Sequence, residues 1–229
     1  MIRLVRPPLL TAIAAAFVAS ACSPPSLAAD LPRPKVDLPA AADAKPGTTE
    51  TLVLAMGCFW CAEGVFERVQ GVTDVTSGYS GGTADTANYE LVSDHKTSHA
   101  EAIRVTYDPQ KISYGKLLQI FFTVHDPTTR DRQGPDAGHQ YRSAIFFANE
   151  EQRTVAAAYI KQLTETKLFS SPIVTTLEPL KGFYPAEGYH QDYVRHHPDN
   201  PYVRQWFPPK ARKLEEHFRS LVKPEYLEK

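Results

Sequence analysis

The sequence predicts an α+β fold, a two-layer sandwich with helices packed on a ferredoxin-like mixed sheet. Three observations carry that expectation. Strand and helix patterns follow one another as β-α-β-β-α-β-α-β between residues 51 and 180. The run Thr51-Leu52-Val53-Leu54-Ala55-Met56 lacks polar alternation, which suits a central strand. Tyr114, Leu117, Leu118, Phe121 and Phe122 recur at intervals of three and four behind a capping Ser113, which marks an amphipathic helix.

The elements follow in order. Gly57 ends the first strand, and a helix is expected from Cys58 to Gln70, with Cys61, Val65, Phe66 and Val69 at helical spacing. Gly71 stops it. Val72 to Tyr79 reads as a strand entering the glycine loop Gly78-Tyr79-Ser80-Gly81-Gly82, and Ala100 to Tyr107 alternates as another. After the Ser113 helix come a loop from His125 to Gln140, a strand from Arg142 to Phe147, a helix from Glu150 to Phe169 and a strand from Ile173 to Leu180. Lys181 to Pro209 reads as irregular and aromatic, and Lys210 to Leu221 as a closing helix.

The chain has 229 residues, 42% hydrophobic, enough for one domain with a real core. A net charge of −1 argues against a nucleic-acid partner, which would select a basic excess. Three segments are expected: a signal peptide over 1–21, a Pro/Ala-rich tether over 22–50, and the folded domain over 51–229. Arg3 and Arg6 give a positive start, and Leu9 to Ala21 is an uncharged apolar run of 13 residues. A spanning helix needs ~20 apolar residues, so this run reads as the core of an export signal.

Val18-Ala19-Ser20-Ala21-Cys22 resembles the lipobox of bacterial lipoproteins. By that resemblance Cys22 would become a lipid-bearing N-terminus, anchoring a periplasmic protein to a bacterial membrane. Ordinary cleavage near Ala28 or Ala29 would instead release a soluble protein. Either cut leaves the mature domain with Cys58 and Cys61, too few for a disulfide framework. An exported compartment is oxidising, so a working dithiol there needs a dedicated reductant.

Gly57-Cys58-Phe59-Trp60-Cys61 lies where a strand turns into a helix. In the first helical turn, the dipole and free N–H groups should lower the Cys58 pKa. Cys61 sits one turn on, within reach of a disulfide, and Phe59 and Trp60 could wall an apolar pocket. The bland alternative is a pair of structural cysteines. A metal site using Cys58 and Cys61 with His95, His99, His190, His196 or His197 is another. On the strand from Ala100, the side chains of Glu101, Ile103, Val105 and Tyr107 share one face. Glu101 is then either a desolvated, protonated general acid or a solvated residue at a frayed strand end. Gly78-x-Ser80-x-Gly82 fits a serine-hydrolase nucleophile elbow, but the turn-like Thr83-Ala84-Asp85-Thr86 stands where a helix is required.

Six blocks, in order, resemble the signatures of A-type peptide-methionine sulfoxide reductases: Gly57-Cys58-Phe59-Trp60, Gly78-Tyr79-Ser80-Gly81-Gly82, His99-Ala100-Glu101, His125-Asp126-Pro127-Thr128, Gln140-Tyr141-Arg142-Ser143 and Tyr189-His190-Gln191-Asp192-Tyr193. The resemblance implies reduction of methionine-S-sulfoxide, free or in proteins, with Cys58 attacking sulfur and becoming a sulfenic acid. Glu101 would protonate the sulfoxide oxygen, Tyr89 and Tyr141 would hold it, Phe59 and Trp60 would receive the methyl group, and Asp136 would line the site. No bound cofactor is implied; an external thioredoxin-like reductant would recycle the enzyme, which is expected to be a monomer. A thioredoxin-like disulfide oxidoreductase is the main alternative, sharing strand, C-x-x-C and helix but needing neither Glu101 nor the tyrosines. The chain departs from the common family pattern at position 61, often glycine, and in lacking later cysteines. Recycling is therefore expected to use Cys61, or an external thiol acting directly.

Overall fold

The computed structural model describes residues 30–38, 45 and 47–227, so the signal-peptide stretch and Cys22 lie outside the described residues. Strands β1 (Glu50–Met56), β2 (Val72–Ser80), β3 (Ala100–Tyr107) and later β6 (Ser143–Phe147), β7 (Thr176–Pro179) and β8 (Phe183–Pro185) form a six-stranded sheet. Its order is β7-β6-β1-β3-β2-β8. The β6–β7 pair is parallel and the others are antiparallel, so the sheet is mixed, as expected. Helices α1 (Phe59–Phe66) and α3 (Tyr114–Val124) make the crossovers from β1 to β2 and from β3 to β6. The sequence between β2 and β3 carries the short α2 (Tyr89–Ser93), and a small hairpin of β4 (Arg132–Gln133) and β5 (Asp136–Ala137) precedes β6.

Alternation along the central strands divides the interior. Leu52, Leu54 and Met56 join Ile103, Val105 and Tyr107 in the main core under the helices, while Val53, Ala55, Ala100 and Ala102 form a smaller cluster with Ala144 and Phe146. The α3 stripe is wholly buried, and the Ser113 side chain accepts the Lys116 N–H as its cap. Truncating a core phenylalanine such as Phe121 to alanine would cost ~3–5 kcal/mol. Helix α4 (Glu150–Thr166) is capped by Asn149, which accepts the Gln152 N–H at 2.8 Å.

Three local expectations are corrected. Helix α1 stops at Phe66, short of Gln70, and Cys58 is its N-cap residue rather than a member of its first turn. Part of the expected tether is docked: Leu31 is buried, its carbonyl accepts from Gln119 Nε2, and the Pro32 carbonyl accepts from the Tyr159 hydroxyl. Asp37 adds bonds from the Ser113 hydroxyl and the Gly115 N–H. Finally, the stretch expected to be irregular contains β8, the short α5 (Tyr193–His196) and half of α6 (Pro201–Phe218). Asn200 caps α6, Pro201 takes its first turn, and Pro208 and Pro209 lie inside it. Two missing N–H donors would ordinarily end a helix. Here Val203, Phe207, Ala211, Leu214 and Phe218 bury one face against the core, and tertiary packing overrides the local penalty.

Candidate active site

The turn from β1 into α1 sets the site. Gly57 has φ +88°, and a β-carbon there would come within 2.5 Å of the Gln133 side chain, so only glycine fits. The next residue, Cys58, is half-buried, whereas Cys61 is fully enclosed in the core. Both are free thiols. The Phe59 N–H, one of the unpaired donors at the start of α1, donates to Glu101 Oε2 at 3.0 Å. That bond draws the β3 carboxyl to the Cys58 turn.

Glu101 is 4% exposed, which settles its position: it faces the core side of β3 and not solvent. Burial pushes its pKa well above the usual carboxylate range, and a charge on Cys58 would push it further. The Phe59 N–H opposes this. Burial therefore favours the protonated form of this carboxyl. Tyr141 and Tyr89 are also raised, chiefly by burial, and both respond to charge on Glu101 and on Cys58. Four groups that can hold or donate a proton thus gather in one site: the Cys58 thiol, Glu101, Tyr89 and Tyr141.

The expected lowering of the Cys58 pKa is not found. Burial raises it well above the ordinary thiol value, and Cys61 adds to the rise while Tyr202 opposes it. Cys61 moves the other way, lowered first by its hydrogen bond with Cys58. The short α1 offers one helix terminus, and desolvation outweighs it. Cys61 also does not share an exposed helix mouth with Cys58; Cys58 alone meets the cavity.

The aromatic wall is built from late sequence. Trp60 stacks on Tyr193 with ring centres 3.7 Å apart, and its Nε1 donates to His190 Nδ1 at 3.0 Å. Phe59, buried, lies against the His190 ring at 5.1 Å, and Tyr89 lies against the same ring at 4.5 Å. Tyr202 donates to Asp136 Oδ2 at 2.5 Å, placing Asp136 beside Cys58. Cys58, Asp136 and Tyr202 border a cavity of about 660 Å³ that continues past Trp206, Phe169 and Lys210.

The alternatives fare differently. Ser80 is buried and donates to the Gly182 carbonyl, so it is no exposed elbow nucleophile. His99 is held by the Gly82 N–H and the Thr83 carbonyl, and His190 by Trp60. Among the described residues no three His, Cys, Asp or Glu side chains are arranged to hold a metal ion.

The family model described as peptide methionine sulfoxide reductase matches residues 50–221. The chain belongs to that family. It is 50% identical over 194 residues to peptide methionine sulfoxide reductase MsrA 2 of Synechocystis, covering 84% of this chain and 90% of the relative. The MsrA 2 of Mesorhizobium japonicum is also 50% identical, over 78% of this chain and 91% of its own. Among solved structures, reduced Mxr1 of Saccharomyces cerevisiae superposes with a TM-score of 0.64 at 33% identity, covering 68% of this chain and 90% of that one. Methionine sulfoxide reductase A of Corynebacterium diphtheriae gives 0.59 at 33% identity, covering 69% and 78%.

For this peptide methionine sulfoxide reductase, Cys58, Phe59, Trp60, Glu101, Tyr89, Tyr141 and Asp136 were all visible as candidates, and the fold gathers them. The roles of His190, Tyr193 and Tyr202 in building the wall were not. His190 and Tyr193 stood inside a recognised block, but their contacts with Trp60 span 130 residues of chain or more. For Tyr202 the readable signal was Asn200-Pro201, an N-cap followed by proline, which places Tyr202 in a first helical turn.

Proposed function

We propose that this chain reduces methionine sulfoxide to methionine by attack of Cys58 on the sulfoxide sulfur, and that Glu101 moves the protons. The carrying observation is the buried Glu101 carboxyl, tied by the Phe59 N–H to the nucleophile's turn. A sulfoxide oxygen leaves poorly until it is protonated, so donors converging on it lower the barrier. Glu101 gives its proton to that oxygen, and the resulting carboxylate takes the Cys58 thiol proton as the sulfur attacks. A bond forms from the Cys58 sulfur to the sulfoxide sulfur; that bond and the substrate S–O bond then break as the protonated oxygen passes to Cys58, leaving Cys58 sulfenic acid and methionine. Because the thiol proton passes to the Glu101 carboxylate as the sulfur attacks, the raised resting pKa of Cys58 does not require a free thiolate to build up beforehand.

Tyr89 and Tyr141 hold the oxygen, Phe59 and Trp60 take the methyl group, and Asp136 with Tyr202 closes the wall. The resemblance to A-type reductases implies the S epimer as substrate, each epimer having its own enzyme class. Cys61 then attacks the sulfenic sulfur, forming the Cys58–Cys61 disulfide with loss of water. The two thiols are in hydrogen-bond contact across the turn from the N-cap Cys58 into α1, and a disulfide needs α-carbons only roughly 4.4–6.8 Å apart. A thioredoxin-like dithiol protein attacks Cys58, the more exposed sulfur, and restores both thiols. No bound cofactor is required, and the enzyme acts as a monomer on oxidised proteins or free methionine sulfoxide.

The N-terminal reading belongs to the same proposal: export through residues 1–21 and lipid attachment at Cys22. Its support is the sequence pattern, and the described residues contain no helix long and apolar enough to cross a membrane. Assaying the purified enzyme with each sulfoxide epimer tests the chemistry; turnover of the R epimer alone would overturn it. Membrane fractionation tests the anchor: the full chain should sediment with membranes and Cys22→Ala should not.

A further inference from the structure

Helix α6 turns a face toward the cavity that begins at Cys58. Tyr202, Trp206, Pro209, Lys210 and Lys213 line it, at intervals of three and four with Pro209 and Lys210 adjacent. Lys210 is half-buried in that wall, and its ammonium makes no hydrogen bond or ion pair within 4 Å among the described residues. The two carboxylates near it are engaged elsewhere. Asp136 accepts from Tyr202, and Asp126 accepts from the Thr128 N–H and hydroxyl. A half-buried ammonium without an ion-pair partner is costly; this one shares its cavity with Cys58, and Phe207, Ala211 and Leu214 of the same helix pack in one core cluster with Cys61.

We propose that Lys210 is the counter-ion of the Cys61 thiolate, acting through Cys61 when the Cys58–Cys61 disulfide forms and when it is reduced. This rests on the methionine sulfoxide reductase reading with Cys61 as resolving cysteine. Cys61 is wholly buried in apolar surroundings, so its thiolate needs a nearby cation at two moments. In resolution the Cys61 thiolate attacks the Cys58 sulfenic sulfur; the S–S bond forms, the S–O bond breaks, and the oxygen leaves as water with the proton given up by Cys61. In recycling a dithiol protein attacks Cys58, and Cys61 leaves as thiolate, which is faster from a lower-pKa sulfur.

The charges around the pair agree. Cys61 is lowered first by Cys58 and next among the favourable groups by Lys210; burial and the carboxyls of Asp136 and Glu101 oppose them. Lys210 is itself lowered by burial, while Cys61, Cys58, Asp136 and Asp126 hold its proton in place. Lys213 lies beside Lys210 and adds positive charge, and His125, buried and pushed down to about 3, is neutral there.

The test compares Lys210→Met, which keeps the stem, and Lys210→Arg, which keeps the charge, with the wild-type enzyme. After a single turnover with methionine-S-sulfoxide, the rate of disulfide formation is followed by loss of dimedone-reactive sulfenic acid from pH 5 to 10. The expected result is a midpoint about one pH unit higher in Lys210→Met, with resolution at pH 7 slowed about tenfold and more than the first release of methionine. Lys210→Arg should restore the midpoint. A Lys210→Met midpoint equal to wild type, in protein of unchanged circular dichroism, would overturn the proposal. If Lys210→Met does not fold, Lys210→Gln serves, with the same two outcomes. Failure of the underlying reading looks different: wild-type enzyme would release no methionine in one turnover, or Cys61→Ser would lose its sulfenic acid as fast as wild type.

Discussion

Helix α1 is served by two buried carboxyls in different settings. Glu101 meets its N-terminal mouth from β3, and Glu63 lies on the helix itself, 1% exposed. Burial is the leading cause of a raised pKa at both. What surrounds them differs. Glu101 faces a thiol, two tyrosines and the Phe59 N–H. Glu63 faces Glu67 and Asp192, with the backbone N–H groups of Asp192 and Tyr193 and the Ser77 hydroxyl nearby, and neither cysteine is among the groups that shift it. Raised acidity constants mark burial wherever it occurs; chemistry needs the neighbour as well.

The largest test of that comparison removes the neighbour. Cys58→Ser should abolish sulfoxide reduction while leaving the melting temperature within a few degrees, since Cys58 is half-buried and caps nothing with its side chain. Residual turnover above background, measured as methionine released, would show that Glu101 serves some other nucleophile.

Next in size is the acid itself. Glu101→Gln keeps the shape and can still accept the Phe59 N–H, but it loses the acidic proton. Single-turnover release of methionine should slow ~10²–10⁴-fold. Because its folded pKa is raised, wild-type activity should persist above the ordinary carboxyl range and fall only as pH rises through that elevated value. A Gln variant with wild-type single-turnover rates would assign the proton to a tyrosine or to water.

A smaller, conditional effect belongs to Cys61. Cys61→Ser should release about one methionine per enzyme and then stall as a dimedone-reactive sulfenic acid when a thioredoxin-type protein is the sole reductant. Dithiothreitol should restore part of the turnover by direct attack on Cys58. Full-rate cycling with the protein reductant would make Cys61 a packing residue.

Much of this is legible in the sequence, for a physical reason. The β3 alternation, the α3 stripe and its Ser113 cap express periodicities set by the backbone, and Cys58 and Glu101 sit on such elements. What escapes depends on contacts between distant segments. Pro208 and Pro209 argue locally for a break, and only the buried face of α6 reverses that, so Tyr202 and Lys210 are hidden as site residues. The docking of Leu31 against Gln119 and Tyr159 lies in a segment with few large apolar residues, which reads as unattached. The sign of the Cys58 shift is misjudged from sequence because the helix dipole follows from element order, whereas burial beside Cys61 and Asp136 does not.

The smallest expected effect on chemistry is at Glu63, and it sharpens the comparison most. Glu63→Gln should leave single-turnover methionine release within about threefold of wild type, because nothing it faces reacts. Its signature is in stability. Burial first of all raises Glu63 from 4.5 to about 7, so the folded state holds a proton that the unfolded chain releases at lower pH. Below pH ~4.5 both states are protonated and the residue contributes no pH dependence. As pH rises from there toward about 7 the unfolded state ionises first, so wild-type stability falls, and above that range the loss is complete. Each tenfold difference in acidity between the two states corresponds to ~1.4 kcal/mol, so a rise from 4.5 to about 7 gives ~3 kcal/mol, which partial solvation near Glu67 reduces to ~2 kcal/mol. Glu63→Gln should remove that slope: urea midpoints of mutant and wild type, compared from pH 4.5 to 8, should diverge in the mutant's favour as pH rises. The direct cost of the amide shifts the whole curve and leaves its slope alone. Glu67, raised to about 8 by burial, adds its own slope to both proteins and cancels in the difference to first order. Parallel curves would mean that Glu63 stays ionised across this range, stabilised by the N–H groups of Asp192 and Tyr193, and the likeness between the two carboxyls would then end at their depth.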